Sequence, residues 1–427
     1  MLANLLYLLL MIGLSPILFT RAIRGGRYRR GLSEKFLGLS AAKAQDYWRG
    51  TPNLRTKRWF HAVSVGEVNL LAGLIQNLEK EKSTPYVIST STDTGYDLAI
   101  QHFGQENVFF CPLDFTWAVR RTINNLRPSE LILIELELWP NLIHIANQSN
   151  CKVFVVNARL SQRSSKRYQQ FHRFTKPLFA ALHWVGCQDH EVLSNFHACG
   201  TPRERLEVTG SLKFDNAPES RETAAVGECE KWSGKNDQHQ VWLVGSTQPG
   251  EEAMGLSIYK RLMSTNPALR LILVPRHPQR FDEVDQLIQS FQLTPHRRSK
   301  VSQHQTDWPA DRVILVDTIG ELRDWWGTAQ IATVGGSFGS RGGQNMLEPA
   351  GYGCAVSFGP DTRNFKQIAQ TLIDADAAVR VKNESELCKF VARCLDDAEY
   401  RRTLGSRAAE VVNTHRGALS RTCDALA

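Results

Sequence analysis

Short apolar runs alternate with amphipathic stretches along the chain from residue 58 onward. In the first half, runs rich in β-branched and aromatic residues predict strands at 58–65, 85–91, 107–111, 130–136, 152–157, 183–187 and 206–210. The amphipathic stretches between them predict helices at 68–81, 95–103, 116–126 and 163–181. Strands that are apolar on both faces and joined by helices indicate a parallel sheet covered on both sides.

The alternation lapses once and then restarts. Residues 216–239 are polar and predict a linker, after which apolar runs predict strands at 240–246, 270–274, 312–316, 331–335 and 354–358. The sequence therefore predicts an α/β fold with two Rossmann-like domains, at 58–215 and 240–427, which face each other across a cleft. Parallel sheets bind ligands at the carboxyl ends of their strands, so we expect the functional side chains there.

The first twenty residues contain no charged side chain, and residues 2–20 form one apolar stretch. As a helix this stretch would reach about 28 Å, close to the hydrocarbon thickness of a bilayer. Arginines follow the apolar stretch and none precedes it, which favours a membrane-anchor helix at 1–20 over a cleaved signal peptide. A buried core helix and a signal peptide are the alternatives.

The positive charge of the chain is concentrated behind that stretch. The 427 residues carry a formal net charge of +8, and residues 21–58 alone hold eleven Lys and Arg against two acids. This predicts a basic membrane-proximal collar at 21–57 that faces the anionic lipids of an inner membrane, with the globular body on the cytoplasmic side. The rest of the chain is close to neutral, which argues against a nucleic-acid binder.

Composition narrows the class further. Hydrophobic residues make up 42% and charged residues 22%, which excludes a disordered or fibrous chain. The nine cysteines are scattered singly without a CxxC pair, which predicts reduced, buried thiols rather than disulfides. An Asp-Ala-Asp string at 374–376 lies in an acidic, helix-like stretch and is typical of a solvated face. With no His or Cys cluster either, we expect no metal site.

Candidate chemistry in the first half lies where predicted strands end. Glu67, in a Ser-Val-Gly-Glu string, would open a helix and is either a general base or a capping charge. Glu135 and Glu137 end a strongly apolar strand on one face, where they are either used chemically or simply exposed. Lys213 would stabilise an anion or form an ordinary surface pair with Asp215.

The second half predicts a nucleotide-type site. Arg276 follows an apolar strand and presents a planar charge suited to a phosphate or a base edge. Residues 335–343 contain five glycines, whose backbone amides could approach an oxyanion closely. Glu348, in a short helix, could accept hydrogen bonds from ribose hydroxyls. Neither a Walker A loop nor a GxGxxG pattern is present, which argues against an NAD-dependent oxidoreductase.

Eight strings occur in order along nearly the whole chain: HAVSVGE, ELWPNLI, NARLSQRS, VTGSLKFD, GSTQPGEE, LILVPRHPQRF, DTIGEL and GGQNMLEP. On these strings the chain resembles the 3-deoxy-D-manno-octulosonic acid (Kdo) transferases of the GT-B superfamily. The resemblance implies a glycosyltransferase that moves Kdo from CMP-Kdo to the lipid A precursor (lipid IVA) in lipopolysaccharide biosynthesis. It further implies an inverting, metal-independent reaction without a cofactor, in which CMP-Kdo is the donor substrate.

The resemblance also implies roles for single residues. Glu67 would be the general base, and Glu135 and Lys213 would stabilise the transition state. The positions that match CMP-contacting segments are Pro275, Arg276, Ile319, Gly320, Glu321, Asn345, Met346, Leu347 and Glu348. The chain departs from the family at Gln344, where His is common, and at Met346, where Pro or Leu is usual.

Two other classes stay open on the sequence alone. A GT-B enzyme that acts on another nucleotide sugar, such as a UDP-sugar epimerase or a peptidoglycan-type glycosyltransferase, would share the fold but prefer UDP over CMP. A membrane-tethered interaction protein on the same fold would bind no nucleotide. The nucleotide preference therefore separates these classes from a Kdo transferase.

Overall fold

The computed structural model describes residues 30–47, 57–81 and 84–427. The chain forms two compact units. The first unit runs to Asn216 and also contains Arg416–Ala427, and the second is Ala217–His415. Each unit is built on its own seven-stranded parallel sheet, which confirms the predicted α/β class with two parallel-sheet domains.

The first unit has the strand order β3-β2-β1-β4-β5-β6-β7. Its strands are β1 (Arg58–His61), β2 (Tyr86–Thr90), β3 (Val108–Phe110), β4 (Glu130–Ile134), β5 (Lys152–Ala158), β6 (Trp184–Cys187) and β7 (Leu206–Val208). β1 pairs with β2 on one side and β4 on the other, so Arg58 lies opposite both Tyr86 and Glu130. The chain reverses its direction of travel across the sheet between β1 and β4, and such a switch point opens a crevice at the strands' carboxyl ends.

Helices cover both faces of this sheet. Those in chain order are α1 (Leu32–Leu37), α2 (Ala41–Tyr47), α3 (Val65–Glu81), α4 (Asp93–Phe103), α5 (Thr116–Leu126), α6 (Pro140–Gln148), α7 (Gln162–Gln170), α8 (His172–Ala180), α9 (His190–Cys199) and α10 (Leu212–Asp215). Strand β4 shows the two-sided burial: Leu131 and Leu133 join one apolar cluster, and Ile132 and Ile134 join another. Alternate residues therefore pack on opposite faces, as the unbroken apolar pattern predicts.

The second unit repeats this architecture with the order β10-β11-β9-β8-β12-β13-β14. Its strands are β8 (Gln240–Thr247), β9 (Leu269–Pro275), β10 (Thr294–Arg297), β11 (Arg312–Leu315), β12 (Ile331–Val334), β13 (Ala355–Phe358) and β14 (Ala378–Arg380). Its helices are α11 (Ala224–Ser233), α12 (Glu251–Leu262), α13 (Phe281–Ser290), α14 (Leu322–Thr328), α15 (Leu347–Gly351), α16 (Lys366–Asp374), α17 (Glu384–Asp396) and α18 (Ala398–Thr414). The last helix, α19 (Ala418–Leu426), belongs to the first unit.

The unit boundaries differ from the sequence expectation in two places. The polar segment 216–239, expected to be a linker, contains α11, which buries Val226, Cys229 and Trp232 within the second unit. Residues 416–427, expected in the second domain, join the first unit, where backbone N–H groups at the start of α19 donate to Asp215. A few apolar positions at helical spacing suffice to order a segment that is polar on average.

The predicted anchor at 1–20 lies outside the residues that the structure describes. Among the helices at 30–47, 57–81 and 84–427, none is both long and apolar enough to cross a bilayer. Part of the predicted collar is described, and its cations are engaged within the first unit. Arg30 pairs with Asp97 at 2.5 Å, Lys43 pairs with Glu34, and Lys35 is buried over the Phe110 ring. All nine cysteines are free and buried, as expected.

Candidate active site

The carboxyl edge of the first sheet gathers the three predicted catalytic side chains. Glu67 lies in the first turn of α3 after β1, Glu135 directly follows β4, and Lys213 lies on α10 after β7. Lys213 Nζ is 3.2 Å from Glu135 Oε1, and the Glu135 charge raises the pKa of Glu67. Residues far apart in sequence thus meet because the ends of parallel strands lie at one edge.

Glu67 serves as part of a helix cap. Its carboxylate accepts hydrogen bonds from the Val63 N–H and the Ser64 hydroxyl, both at 2.8 Å, and the Glu67 N–H faces Ser64 Oγ at 3.4 Å. This pattern is a variant of the capping box, in which the carboxylate accepts from the N–H of Val63, the residue before the N-cap, rather than from the N-cap N–H. The side chain is 8% exposed, and burial raises its pKa above the ordinary glutamate value although both hydrogen bonds oppose the rise. Once ionised, such a carboxylate is a stronger base than an exposed one.

Glu135 is held between two cations. Its carboxylate lies 2.8 Å from Arg159 Nε through one oxygen and 3.2 Å from Lys213 Nζ through the other. Asp215, the partner considered for Lys213 from the sequence, instead accepts hydrogen bonds from the start of α19. The arrangement fixes the position of the Lys213 ammonium, which is 28% exposed at its side chain.

The backbone at Glu135 is strained. Its φ is +63°, in the left-handed region, and a non-glycine residue held there costs about 1–3 kcal/mol. The Glu135 N–H donates to the Val156 carbonyl at 3.0 Å, which helps to keep this conformation. The strain aims the carboxylate toward Arg159 and Lys213, and strain of this kind is concentrated at functional sites.

Glu137 adds a third carboxylate to the cluster. Burial raises its pKa to about 6, and the charges of Glu67 and Glu135 add to the rise. The Trp139 indole N–H donates to the Glu137 carboxylate at 2.9 Å, and this hydrogen bond partly offsets the rise in the pKa. Three carboxylates therefore share two cations at this edge, which disfavours full ionisation of all three.

The second unit brings together Arg276, Asn345 and Glu348. The exposed Arg276 directly follows β9, and its backbone N–H donates to the Thr247 carbonyl at 3.0 Å. Asn345 Nδ2 donates to Glu348 Oε1 at 3.1 Å. Burial raises the pKa of Glu348, and the nearby Arg323 and Arg276 charges oppose the rise. A cation and a hydrogen-bond acceptor therefore lie close together at the end of this sheet.

Three of the proposed CMP-contacting residues have buried side chains. Pro275 ends β9, and Met346 and Leu347 are 0% and 1% exposed. These residues therefore offer no exposed side chain to a nucleotide. Their apolar side chains anchor the loop that carries Asn345 and Glu348.

The loop before α14 presents a different surface. Ile319 is 83% exposed, and Gly320 has a φ of +93°, which favours glycine. Glu321 accepts from Arg298 Nε at 2.9 Å and Trp325 Nε1 at 3.2 Å. Burial acts to raise the pKa of Glu321, but these hydrogen bonds outweigh it and lower the pKa. Glu321 thus stays ionised and fixes the loop, while Ile319 leaves an apolar side chain exposed.

The glycine-rich loop after β12 does not have the open amides that the sequence predicts. The N–H groups of Gly336, Ser337 and Phe338 donate to the Glu251 carboxylate at 2.7, 3.1 and 3.1 Å. The glycines do allow a close approach to an oxyanion, but the oxyanion belongs to the protein. The helix that follows, α15, has five residues, so its dipole adds little for a bound phosphate.

Sequence reasoning missed four residues of these clusters as candidates for a role. Arg159 lies in the NARLSQRS string and Glu251 in the GSTQPGEE string, while Arg323 follows the DTIGEL string. The family-like strings contain or adjoin these three residues, so the resemblance could have pointed to them. No spacing rule in the sequence links them to Glu135 or to the glycine loop. Glu137 was noted beside Glu135 and left without a role.

The residues that the structure describes contain no group of three or more His, Cys, Asp and Glu side chains that could hold a metal ion. Asp374 and Asp376 are exposed, and Asp374 accepts a hydrogen bond from Gln370 at 2.6 Å. This matches the solvated face expected for the Asp-Ala-Asp string.

Comparison with known proteins identifies the family. A family model described as 3-Deoxy-D-manno-octulosonic-acid transferase (kdotransferase) matches residues 30–216. The 3-deoxy-D-manno-octulosonic acid transferase of Haemophilus influenzae is 32% identical over 412 residues, which cover 95% of this chain and 92% of that protein. The chain belongs to the Kdo transferase family. The family member from Bordetella pertussis is 33% identical, with 98% of each chain covered.

Solved structures add the fold. The UDP-GlcNAc 2-epimerase of Neisseria meningitidis bound to UDP-GlcNAc aligns with a TM-score of 0.58 at 12% identity, covering 87% of this Kdo transferase and 99% of that chain. A glycosyltransferase from Rickettsia africae aligns with a TM-score of 0.56 at 11% identity, covering 87% and 97%. At these identities the likeness shows the fold alone, which is consistent with GT-B.

Proposed function

We propose that this Kdo transferase moves Kdo from CMP-Kdo to the lipid A precursor lipid IVA. The observation that carries the proposal is the cluster of Glu67, Glu135 and Lys213 at the edge of the first sheet, in a chain of this family. The first unit would bind the acceptor and the second unit the donor. This division follows the positions of the carboxylate cluster and of the Arg276–Glu348 pair.

Glu67 is proposed as the general base. Its ionised carboxylate takes the proton from the acceptor hydroxyl, and the oxygen attacks the anomeric carbon of Kdo. The bond from that carbon to the phosphate oxygen breaks, and CMP leaves with the electron pair. Attack from the face opposite the leaving group inverts the anomeric centre. The raised pKa of Glu67 supports the role, because it strengthens the base.

Lys213 is proposed to stabilise the negative charge that develops in the transition state. Glu135 holds the Lys213 ammonium at 3.2 Å and Arg159 at 2.8 Å, so both cations are oriented before the substrate arrives. Preorganised charge needs no rearrangement at the moment of reaction, and this makes it effective.

The donor is proposed to bind through the segments at Arg276, Ile319 and Asn345–Glu348. Arg276 would pair with the phosphate of CMP, Glu348 would accept from the ribose hydroxyls, and the exposed Ile319 would pack on the cytosine ring. CMP carries a single phosphate, so protein cations can supply its counter-charge. The proposal therefore uses no metal and no cofactor.

The acceptor is a glycolipid, so the enzyme is proposed to work on the cytoplasmic face of the inner membrane. Helices α7 and α8 present a surface suited to anionic lipids, here called the basic aromatic surface: Arg163, Lys166, Arg167, Phe171, Arg173, Phe174 and Lys176, all exposed. Phe171 is 64% and Phe174 79% exposed. No acid occurs between Arg159 and Gln188. Exposed aromatic rings among cations are typical of an interfacial element.

Nucleotide protection against thermal unfolding tests the donor class. CMP should raise the melting temperature of the full chain in detergent, and UDP at the same concentration should not, because binding to the folded state alone stabilises it. Protection by UDP alone would indicate that the protein uses a UDP-sugar and not CMP-Kdo. Protection by neither nucleotide would remove the donor site from the proposal.

A further inference from the structure

The carboxylate of Glu251 occupies an anion-binding nest of backbone amides. It accepts four backbone N–H groups: Gln248 at 2.8 Å, Gly336 at 2.7 Å, and Ser337 and Phe338 at 3.1 Å each. The side chain is 4% exposed, so these bonds lie away from bulk water. Successive amides that converge on one oxyanion form the kind of concavity that elsewhere binds phosphate.

The topology explains why these groups meet. Glu251 opens α12 just after β8, and the glycine loop begins just after β12. β8 and β12 are neighbouring parallel strands, so the segments at their carboxyl ends lie side by side. A Cβ on Gly335 would lie 2.7 Å from Glu251 Oε2, 2.8 Å from Thr247 Cα and 2.9 Å from the Ser246 carbonyl oxygen, so the close approach of the carboxylate and of the end of β8 requires glycine there.

The same contacts link Glu251 to the proposed donor site. Gly336, which Glu251 holds, accepts a hydrogen bond through its carbonyl from the Gly343 N–H at 2.8 Å. Gly343 lies two residues before Asn345, whose amide in turn orients Glu348 at 3.1 Å. The first and last parts of the loop are therefore tied together, with the buried carboxylate at the base.

We infer that Glu251 is a positioning residue, whose carboxylate fills the amide nest and holds the glycine loop in the shape that presents Asn345 and Glu348 to the donor. The nest is consequently unavailable to the donor phosphate, which must find its counter-charge at side chains such as Arg276. This inference rests on the proposed donor, because the loop matters for function only if a nucleotide binds beside it.

Chemical rescue tests the inference. Glu251→Ala removes the carboxylate and leaves amides that a small carboxylate ion can reoccupy. We expect the dissociation constant for CMP, measured by calorimetry on the full chain in detergent, to rise at least tenfold. Formate at about 100 mM should recover most of that loss, whereas chloride at equal ionic strength should not, because formate matches the shape of the missing group.

The neighbouring Glu252→Ala provides the matched control. Glu252 is also buried, but it pairs with Arg280 at 2.6 Å and with the Thr247 hydroxyl at 2.5 Å, and it touches no amide of the loop. Formate should not restore whatever CMP affinity this variant loses. Equal rescue of both variants, or unchanged CMP binding by Glu251→Ala, would overturn the inference.

Hydrogen exchange provides a second test, for the case in which Glu251→Ala does not fold. Gly335→Ala keeps the carboxylate but crowds both it and the end of β8, which separates the loop from Glu251, and hydrogen exchange at the amides of residues 336–338 should accelerate at least tenfold relative to wild type. Unchanged exchange would contradict the assignment. If the amides of residues 336–338 exchange slowly in wild type but wild type does not bind CMP, the result supports the contacts of Glu251 with the loop and contradicts only the proposed donor.

Discussion

At the scale of single residues, Glu67 caps a helix and is also the residue that we propose as the general base, two roles that the sequence presents as alternatives. The Ser-Val-Gly-Glu string encodes a variant of the capping box, and the same cap buries the carboxylate and raises its pKa. Sequence could therefore locate the residue without deciding its role. It could not find Glu251, because three of its four partners are backbone amides more than eighty residues away, which leave no pattern in the local sequence.

Glu67→Gln should lower turnover about 10²- to 10⁴-fold, because the amide cannot accept the proton from the acceptor. CMP affinity should stay within twofold of wild type. The measurement is kcat with saturating donor, together with calorimetric CMP binding.

Ser64→Ala separates the cap from the base. It removes the hydroxyl that donates to Glu67 and should cost about 1 kcal/mol of stability, while turnover falls by less than tenfold. Equal turnover losses in Glu67→Gln and Ser64→Ala would mean that the cap, and not proton transfer, explains the importance of Glu67.

Arg276→Ala should weaken CMP binding about 10- to 100-fold, because it removes a charge-assisted contact to the phosphate. Arg276→Lys should retain part of the affinity. Arg380→Ala, an exposed arginine at the end of the edge strand β14, is the control and should bind CMP normally. CMP affinity unchanged by Arg276→Ala would remove this side chain from the donor site.

The raised pKa of Glu137 makes the free energy of unfolding depend on pH. Its pKa is raised to about 6 in the folded state, so the folded protein holds this proton more tightly than the unfolded chain does. The resulting stability is present below the ordinary glutamate pKa and is lost as the pH rises through about 6. Glu137→Gln removes that loss and should be more stable than wild type at pH 8, by about 1 kcal/mol after allowance for partial exposure.

Thermal unfolding of both proteins at pH 5 and pH 8 checks this prediction. The difference between variant and wild type should be larger at pH 8. An advantage of the same size at both values would show that the substitution acts through packing and not through the charge.

At the scale of elements, the pattern of the chain predicted twelve of the fourteen strands that lie within the described part of the chain. The two missed strands, β10 and β14, lie at opposite edges of the second sheet. Most of their residues are exposed or only half-buried, unlike those of the fully buried edge strand β3, so Thr294–Arg297 and Ala378–Arg380 lack the continuous apolar run that predicts a strand. The predicted helix at 163–181 is instead two helices, α7 and α8, which meet at the exposed Phe171.

The basic aromatic surface should contact lipid in the full chain. All nine native cysteines are buried, so a cysteine introduced by Phe174→Cys can be labelled selectively with an environment-sensitive fluorophore. Vesicles of phosphatidylglycerol and phosphatidylcholine should shift its emission to the blue, and added salt should reduce the shift. Vesicles of phosphatidylcholine alone should shift it less.

The control for this measurement is Gln101→Cys, exposed on α4 beside the edge strand β3 and its neighbour β2. A label there should not respond to either vesicle. This local readout is needed because the apolar stretch at 2–20 is itself proposed to bind membranes. An equal response at both positions, or none at 174, would contradict the assignment of this surface.

At the scale of the whole molecule, the sequence predicted two parallel-sheet units but not their ends. Helix α19 packs Cys423 and Leu426 into the core of the first unit, and Asp215 accepts hydrogen bonds from the backbone at its start. The apolar pattern predicts a helix there but does not indicate which sheet it covers. Burial of the Arg58 guanidinium reinforces this packing, because it bonds both Glu130 and the Leu426 carbonyl. The family was better predicted than the unit boundaries, since the strings that carry the resemblance are local in sequence.

The mass of the reaction product tests directly whether this protein transfers Kdo to the lipid A precursor. Full-length protein in detergent would be incubated with a tetraacyl lipid A precursor and CMP-Kdo generated in the same mixture, with Glu67→Gln in parallel. We expect wild type to add one or more Kdo units to the acceptor, which raises the acceptor mass accordingly. Glu67→Gln should add them at least a hundredfold more slowly. An unchanged acceptor with intact CMP binding, or equal rates for both proteins, would contradict this expectation.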